Sequence, residues 1–232
     1  GTDFDPSSVP WYGKIKMFKN IGLDDYGEPI WSLENDDLLS DNIGHNLAPF
    51  FADIDFDDDY DLFIGNFNGN VEYYENIGDK YLHNYSYSEN ISNIDLSGYS
   101  TPTLIDLDND EDLDLIIGNM SGTIIYYENI GDKYNYEFQF ISDTYHDINV
   151  NYRSHPEFYD YDFDNDNDLF IGSGYESIIY YENTGSPNEP NYVVDNSLDF
   201  PEIGNNSSPA IYFSNEISGL TVGVSTGGMY FI

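Results

Sequence analysis

The sequence predicts an all-β protein, a β-propeller of four-stranded antiparallel blades, with about four to five blades and incomplete blades at both ends. Two observations carry this prediction. The prolines Pro49, Pro102, Pro156 and Pro209 recur at intervals of 53, 54 and 53 residues, and a period in this range is typical of propellers and solenoids. Within each period, β-branched and aromatic residues cluster in four short runs bounded by Gly, Asn, Asp and Pro, which indicates four strands per repeat.

The second repeat shows the four strands, here named a to d in chain order, most clearly. Strand a is PTLIDL from Pro102, strand b is LDLIIGN from Leu113, strand c is TIIYYEN from Thr123, and strand d is YEFQFIS from Tyr136. Strand c carries two adjacent tyrosines in each repeat. Because neighbouring strand residues point to opposite faces, we expect these rings to pack in the core on both sides of a blade rather than to form a platform for sugars.

The repeat divides the chain into six segments. These are an N-terminal extension (1–12), a partial blade of strands c and d (13–46), three complete blades (47–99, 100–154 and 155–207) and a partial blade of strands a, b and c (208–232). This division gives seventeen strands, whereas a closed ring of four blades needs sixteen. One copy of strand c is therefore surplus.

Charge narrows the classes of partner. The chain has 44 acidic and 6 basic residues, a formal net charge of -38, so nucleic acid and anionic membranes are excluded as favourable partners while cations are favoured. A hydrophobic content of 40% with 17% aromatic residues predicts a folded chain. The acidic surface of a halophile is an alternative explanation of the charge. The sequence has no cysteine and no apolar run near the roughly 20 residues of a transmembrane helix.

Much of the charge lies in three acidic stretches between strands a and b. They read DIDFDDDYDLFIGN from Asp53, DLDNDEDLDLIIGN from Asp106 and DYDFDNDNDLFIGS from Asp160. On a flat strand, alternate aspartates would lie about 6 to 7 Å apart on one face and would repel one another. If the segment curls into a turn, the carboxylates converge into an oxygen-only cage, which suits calcium. Zinc and copper would require His or Cys ligands in these stretches.

An EF-hand loop also begins with alternate aspartates, but it requires a glutamate at position 12 and flanking helices. Here position 12 is Ile64, Ile117 or Ile171, and the flanks read as strands. The EF-hand interpretation is therefore excluded.

The order of Pro, apolar strand, D-x-D-x-D-x-x-x-D-L, apolar strand, Gly and YYEN resembles the FG-GAP and VCBS repeats of integrin-type β-propellers. The resemblance covers residues 47–185 well and residues 208–232 weakly. It implies an extracellular or cell-surface propeller that binds calcium, with side-chain ligands at loop positions 1, 3, 5 and 9 and a backbone carbonyl at position 7. The ligands that it implies are Asp53, Asp55, Asp57, Asp59 and Asp61, then Asp106, Asp108, Asp110, Asp112 and Asp114, then Asp160, Asp162, Asp164, Asp166 and Asp168.

Two departures from the family pattern affect the number of sites. The glycine usual at position 6 is replaced by Asp58, Glu111 and Asn165, and a backbone with positive φ accepts Asn or Asp better than Glu. The second loop therefore fits the pattern least well. The repeat from Ser208 lacks the aspartates, so about three sites are expected, each acting as a staple of the a–b turn rather than in catalysis.

The N-terminal strand suggests self-assembly. Half of all basic residues lie on it, and a bare surplus strand can pair with another chain. We therefore expect this strand to complete a neighbouring subunit in a head-to-tail array. The assembly strand comprises Lys14, Ile15, Lys16, Met17, Phe18 and Lys19. Two alternatives are that five partial blades close within one chain and that the chain is a slice of a longer propeller.

These features favour a non-enzymatic structural or adhesive surface protein. No catalytic motif stands out, and the repetition of the carboxylates argues for equivalent structural sites over a glycosidase pair. The partners expected are the protein itself, another surface protein or a glycan, and the alternative function is a carbohydrate-binding module. N-x-S/T sequons predict glycosylation at some of Asn84, Asn90, Asn119, Asn205 and Asn206.

Overall fold

The computed structural model describes residues 13–26, 29–39, 43–91, 98–175, 178–198, 200, 205–213, 218–224 and 229–231. The predicted extension 1–12 lies outside these residues.

The described chain forms seventeen strands in five sheets. The N-terminal hairpin is β1 (Met17–Leu23) and β2 (Pro29–Asn35). The first full sheet is β3 (Ala48–Ala52), β4 (Asp61–Gly65), β5 (Val71–Asn76) and β6 (Tyr85–Asn90). The second full sheet is β7 (Ser100–Ile105), β8 (Asp114–Asn119), β9 (Ile124–Asn129) and β10 (Phe138–Ser142). The third full sheet is β11 (Ser154–Tyr159), β12 (Asp168–Ser173), β13 (Ile178–Asn183) and β14 (Tyr192–Val194). The C-terminal sheet is β15 (Ser208–Phe213), β16 (Ser218–Gly223) and β17 (Met229–Phe231).

The predicted all-β class and the four-stranded antiparallel sheets are confirmed. Each full sheet is a simple meander in which consecutive strands pair in the order a, b, c and d. Helix within the described part is limited to a single 3-10 turn at Tyr145–Asp147. The N-terminal hairpin and the C-terminal sheet are not hydrogen-bonded to each other within the described residues, so the ring that a propeller requires is not closed there.

The prolines that mark the repeat lie on the first strand of each sheet. Pro49 pairs with Ile64, Pro102 with Ile117 and Pro156 with Ile171. Strand a has a partner on one side only, and an edge strand is the place where a missing N–H removes no ladder hydrogen bond. The proline therefore sets strand a as the edge of its sheet.

Apolar clusters between successive sheets form the core. One cluster joins the first and second full sheets around Phe63, Leu115 and Ile117. A second joins the second and third sheets around Ile116 and Leu169, and a third joins the third sheet to the C-terminal sheet. The sheets thus stack serially, because each buries both faces against its neighbours.

The paired tyrosines of strand c belong to this core, as predicted. Tyr73 packs toward the second full sheet, whereas Tyr74 packs on the opposite face against Ile15. Tyr73 also stacks on Phe63, with ring centroids 4.9 Å apart. Adjacent tyrosines therefore bind one sheet to both of its neighbours.

A serine fastens the start of each sheet to the preceding one. The backbone N–H groups of Asn66, Asn119 and Ser173 donate to the hydroxyls of Ser100, Ser154 and Ser207 over 2.9, 2.8 and 3.0 Å. The carbonyls of these serines approach the last glycine of strand b so closely that a Cβ would lie under 3.0 Å from them. The three glycines are Gly65, Gly118 and Gly172. Strand b therefore requires glycine at this position.

Side chains of strand a make further hydrogen bonds to strand a of the next sheet. Thr101 Oγ1 donates to the Ser154 carbonyl at 2.9 Å, and Thr103 Oγ1 donates to the Pro156 carbonyl at 2.8 Å. On the next strand, Glu157 Oε1 accepts from the Ile211 N–H at 3.3 Å, and His155 Nε2 lies 3.2 Å from Ser208 Oγ. Burial raises the pKa of Glu157 to about 7 and lowers that of His155 to about 4.

The N-terminal hairpin projects from the first full sheet. Its base is anchored by Ile15, which is buried against that sheet, but nearly all of β1 and β2 is exposed. The three N-terminal lysines, one on β1 and two just before it, have acidic partners on β2 and directly after it. Lys14 pairs with Asp37 at 3.2 Å, Lys16 with Asp36 at 3.3 Å, and Lys19 with Glu34 at 3.9 Å. The basic strand therefore lies beside acidic groups of its own chain.

Replacing the glycine of strand b tests the joint between sheets. We expect Gly118→Ala to lower the free energy of unfolding by about 3 kcal/mol, because a Cβ would collide with the Ser154 carbonyl. The matched control is Gly223→Ala, where the nearest described atom is the Ser208 carbonyl at 4.0 Å, and a change within about 0.5 kcal/mol is expected. Urea unfolding measures both variants, and equal losses would show that the joint is not the cause.

The raised pKa of the buried Glu157 side chain predicts a pH dependence of the free energy of unfolding. Between about pH 7 and pH 4.5, the folded chain keeps a proton on Glu157 that the unfolded chain releases, so stability due to this group rises as pH falls through that window. On going from about pH 7 to pH 4.5, the free energy of unfolding of the unmodified chain should rise by about 3 kcal/mol relative to that of Glu157→Gln, which cannot bind this proton. His155 acts in the opposite direction below its ordinary pKa and is common to both proteins. Parallel stability curves for the two proteins would contradict the prediction.

Candidate metal centre

The three a–b loops bring their first three alternate aspartates together. In the first loop, one oxygen from each of Asp53, Asp55 and Asp57 lies within 4.8 Å of the others. The same geometry recurs at Asp106, Asp108 and Asp110 and at Asp160, Asp162 and Asp164. The sequence prediction that the carboxylates converge in a turn thus agrees with the structure at these nine residues.

Two residues with a left-handed backbone conformation bend each loop into a turn. Phe56 and Asp58, at positions 4 and 6 of the first loop, have φ of 61° and 72°. The matching values are 62° and 76° at Asn109 and Glu111, and 64° and 74° at Phe163 and Asn165. Glu111 thus takes the same backbone as its counterparts, although a glutamate is less suited to positive φ. Position 4 was not foreseen, because phenylalanine gives no signal of a left-handed conformation.

The first aspartate of each loop holds the curl in place. Asp53 accepts hydrogen bonds from the N–H groups of Asp57 at 3.0 Å and Asp58 at 3.2 Å. Asp106 and Asp160 accept equivalent bonds from positions 5 and 6 of their loops. These bonds turn the chain back on itself, as in an Asx-type turn.

The aspartate at position 7 points a carboxylate oxygen into a buried space. Asp59, Asp112 and Asp166 are each only 6% exposed. In each, Oδ1 is buried and has no hydrogen-bond partner among the described residues. Burial raises the pKa of all three carboxyls, to about 6 at Asp112 and Asp166. Ionising a buried carboxylate is costly; at Asp59 the Asn76 side chain offsets part of that cost, and a nearby cation would favour the charged form of all three carboxyls.

The aspartate at position 9 has another role in the structure. Asp61 is buried outside the three-carboxylate cluster, and its Oδ1 accepts from the Asn76 N–H at 2.7 Å. Asp114 and Asp168 accept from the N–H groups of Asn129 and Asn183, both at 2.8 Å. Burial raises the pKa of Asp61 and Asp114 to about 7. Position 9 therefore ties each loop to the end of strand c.

The asparagine that closes strand c extends this connection to the c–d turn. Asn76 Oδ1 accepts from the N–H groups of Gly78 at 3.2 Å and Asn84 at 2.8 Å. Asn129 and Asn183 make the equivalent pairs of bonds. The asparagine follows the ninth aspartate at a fixed interval of 15 residues in all three repeats, and this interval is the sequence signal of the contact.

A comparison with known families matches this part of the chain. The sequence model of the FG-GAP-like repeat matches residues 106–171, which run from the second acidic loop to the strand after the third. The chain carries FG-GAP-type repeats. This confirms the family inferred from the aspartate and glycine pattern. No curated protein and no solved structure matches the chain.

The charge of the FG-GAP loops is largely uncompensated. Among the described residues, the one ion pair made by a loop residue is Lys133 Nζ to Glu111 Oε2 at 3.2 Å. The clustered aspartates themselves have no basic partner in the described part of the chain. Repulsion among them is therefore offset only by hydrogen bonds, unless a cation is bound.

The donor set fits calcium. Each FG-GAP loop offers carboxylate oxygens in a turn whose backbone is already fixed, and the buried Oδ1 at position 7 adds an oxygen without a donor. Calcium takes six to eight oxygen ligands and tolerates such flexible geometry, whereas magnesium retains more of its waters. Each cluster can hold a metal ion of this kind.

Neighbouring FG-GAP loops are linked through c–d turns. Lys133 Nζ lies 4.8 Å from the Phe56 ring centroid, and Tyr134 meets the same ring edge-on at 6.0 Å. Lys133 therefore contacts the first loop and, through Glu111, the second. The c–d turn of the third full sheet contacts the second loop, because Asn188 Nδ2 donates a hydrogen bond to the Asp108 carbonyl at 2.8 Å.

The sequons differ in accessibility. Asn84 and Asn205 are exposed, while the Asn206 side chain accepts from Arg153 Nη1 at 2.7 Å. Asn119 is only 5% exposed, and its Nδ2 donates to Thr123 Oγ1 at 2.8 Å. The Asn119 amide is thus inaccessible in the folded chain, and glycosylation at this sequon stays a prediction. Nothing is described of the Asn90 side chain.

Proposed function

We propose that this protein is a non-enzymatic, extracellular, calcium-stabilised structural or adhesive module. The observation that carries the proposal is the threefold repetition of one carboxylate cluster on one backbone conformation. An active site would differ between repeats, whereas a structural staple would not. The FG-GAP match supports the same interpretation. Described helices include none long and apolar enough to cross a membrane.

In this proposal calcium bridges the two ends of each a–b turn. Asp53, Asp55 and Asp57 and their counterparts would supply side-chain oxygens, and the buried carboxylate at position 7 would gain a cationic neighbour. Bound calcium neutralises the repulsion that the bare loop holds. The ninth aspartate and the strand-c asparagine carry that order to the c–d turn. Calcium binding would thus contribute directly to folding stability.

The proposal includes self-assembly through the N-terminal hairpin. Two-stranded hairpins are marginal by themselves, and this one exposes large apolar side chains, with Trp31 59% exposed and Ile21 60% exposed. It supplies strands equivalent to c and d, whereas the described C-terminal sheet consists of strands a, b and c and has no strand d. A second copy of the chain, contributing its C-terminal sheet, is the occupant that we propose for the hairpin.

The space above Gly223 in the C-terminal sheet favours the packing of a further strand there. Gly223 occupies the position of Gly65, Gly118 and Gly172, because it pairs with the start of strand a in the same register. Those three glycines receive a serine carbonyl from the next sheet, but over Gly223 the described residues place only Ser208 O, at 4.0 Å. The sequence thus keeps space for another strand there. Lys14, Lys16 and Lys19 are paired with acidic residues on β2 or directly after it, so strand geometry rather than charge carries this part of the proposal.

Chelation tests the calcium proposal. We expect EGTA to lower the melting temperature, and calcium but not magnesium to restore it, with about 2.7 kcal/mol per site at a calcium concentration a hundredfold above Kd. Asp55→Asn, Asp108→Asn and Asp162→Asn should each remove part of this gain. Asp143→Asn, an exposed aspartate outside the loops, makes the same charge change and should leave it intact. A melting curve unaffected by EGTA would refute calcium stabilisation.

Light scattering tests self-assembly. In millimolar calcium, the solution mass should grow with protein concentration beyond the 26.5 kDa of one chain. Trp31→Glu should abolish that growth, because it places a charge on the exposed face of the hairpin. Tyr81→Glu, at an exposed c–d turn, is the control and should assemble normally. A constant mass near 26.5 kDa at every concentration would show that the hairpin does not join subunits.

A further inference from the structure

A polar cleft of about 610 Å³ opens on the first full sheet. It lies on the sheet face that carries Tyr74, which is the face turned toward Ile15 and the N-terminal hairpin. The b–c turn and strand c supply its polar wall, and two tyrosines supply its aromatic wall. The residues that form these walls are Asn66, Asn68, Asn70, Glu72, Tyr74 and Tyr87. Its volume is in the range of pockets that hold small ligands.

Glu72 departs from the repeat pattern at this point. The strand register aligns Glu72 with Ile125 and Ile179 of the second and third full sheets. Both isoleucines pack into the apolar clusters between sheets. A carboxylate at the equivalent position cannot enter a dry interface of that kind without a large desolvation cost. This part of the first full sheet is therefore built for a polar occupant.

The polar groups of the cleft are fixed in advance. The Asn66 amide is held by bonds at both ends, since Nδ2 donates to the Ile43 carbonyl at 3.2 Å and Oδ1 accepts from the Asn68 N–H at 2.9 Å. The Glu72 carboxyl interacts with the side chains of Tyr87 and Asn70. Tyr87 meets Tyr74 edge-on, with ring centroids 5.4 Å apart. Preorganised groups of this kind reduce the entropic cost of binding.

The chemistry of the lining selects one class of ligand. A metal ion would need several carboxylates, and among the described residues of the lining Glu72 is the single acidic one. An anion is disfavoured by Glu72 and by the net charge of -38. An apolar ligand would gain nothing from the exposed Asn68 side chain and would remove the half-buried Glu72 carboxylate from water. A neutral molecule with many hydroxyls and an apolar face satisfies both walls, because hydroxyls both donate and accept hydrogen bonds.

We infer that this cleft binds a neutral sugar residue, whose hydroxyls bond Glu72 and the amides of Asn68 and Asn70 and whose apolar face contacts the exposed ring of Tyr87. The inference goes beyond the calcium-dependent structural role, and it requires one cleft at one end of the sheet stack rather than a site in every repeat. A lectin with one site per repeat would need the same exposed residues at every b–c turn, but these turns differ between repeats. That difference is compatible with a single site, because Glu72 belongs to the first full sheet alone.

Saturation-transfer difference NMR tests the inference with a named panel of glucose, galactose, mannose and N-acetylglucosamine at millimolar concentration. The calcium-loaded full chain should give transfer to at least one of these sugars, and a titration should give its Kd. Glu72→Ile, which installs the residue of the other two repeats, should weaken that binding by about tenfold or more because a charge-assisted hydrogen bond is lost. Glu75→Gln, on the same strand but exposed and outside the lining, should leave the Kd unchanged.

Folding and assembly are measured on the same samples. The circular dichroism spectrum and the calcium-dependent melting temperature of Glu72→Ile should match those of the unmodified chain, which separates loss of the site from loss of the fold or of the calcium sites. Three outcomes would overturn the inference. These are no transfer to any sugar of the panel, equal affinity in Glu72→Ile, and a change of solution mass in Glu72→Ile without a change in sugar binding, which would make this face a protein contact.

Discussion

The close approach of one sheet to the next depends on the carbonyl of a serine at the start of one sheet, which can contact strand b of the preceding sheet only where that strand has a glycine. At Gly65, Gly118 and Gly172, the serine that opens the following sheet lies where a Cβ would be. Its hydroxyl then accepts the N–H of the next residue of strand b. This joint sets the spacing at which the apolar faces meet, and the mutual positions of the acidic loops follow from it.

The acidic loops are in turn connected to the body of each sheet by buried polar contacts. The ninth aspartate bonds the end of strand c, and the asparagine there bonds the c–d turn. The oxygens that make these contacts are buried and accept backbone hydrogen bonds, so they fix the loop without relying on the three clustered carboxylates. The remaining carboxylates are thereby left facing one another, with a buried oxygen at position 7 that has no donor among the described residues. That combination of rigidity and unbalanced charge is the basis of the calcium proposal.

Much of this arrangement could be predicted from the sequence because it repeats. The period and the four strands of each full sheet follow from the recurring prolines and the runs of strand-forming residues, and the convergence of the first three aspartates follows from their alternate spacing in a segment that turns. The roles of Asp61 and Asn76 could not be predicted, since they depend on contacts between strands b and c. The left-handed Phe56 has no local signal. The pairing of the N-terminal lysines was missed because their acidic partners follow the turn of the hairpin. Glu72 could have been found by aligning it with Ile125 and Ile179.

The meander topology has a consequence for how the chain reaches its folded state. Each full sheet is made from one continuous stretch of chain, and its contacts run to the sheets before and after it. Within the described residues, no strand pairing requires the two ends of the chain to meet. Loop-closure entropy is therefore small at every step, and folding can start in any sheet and spread outward in both directions, as in solenoid arrays.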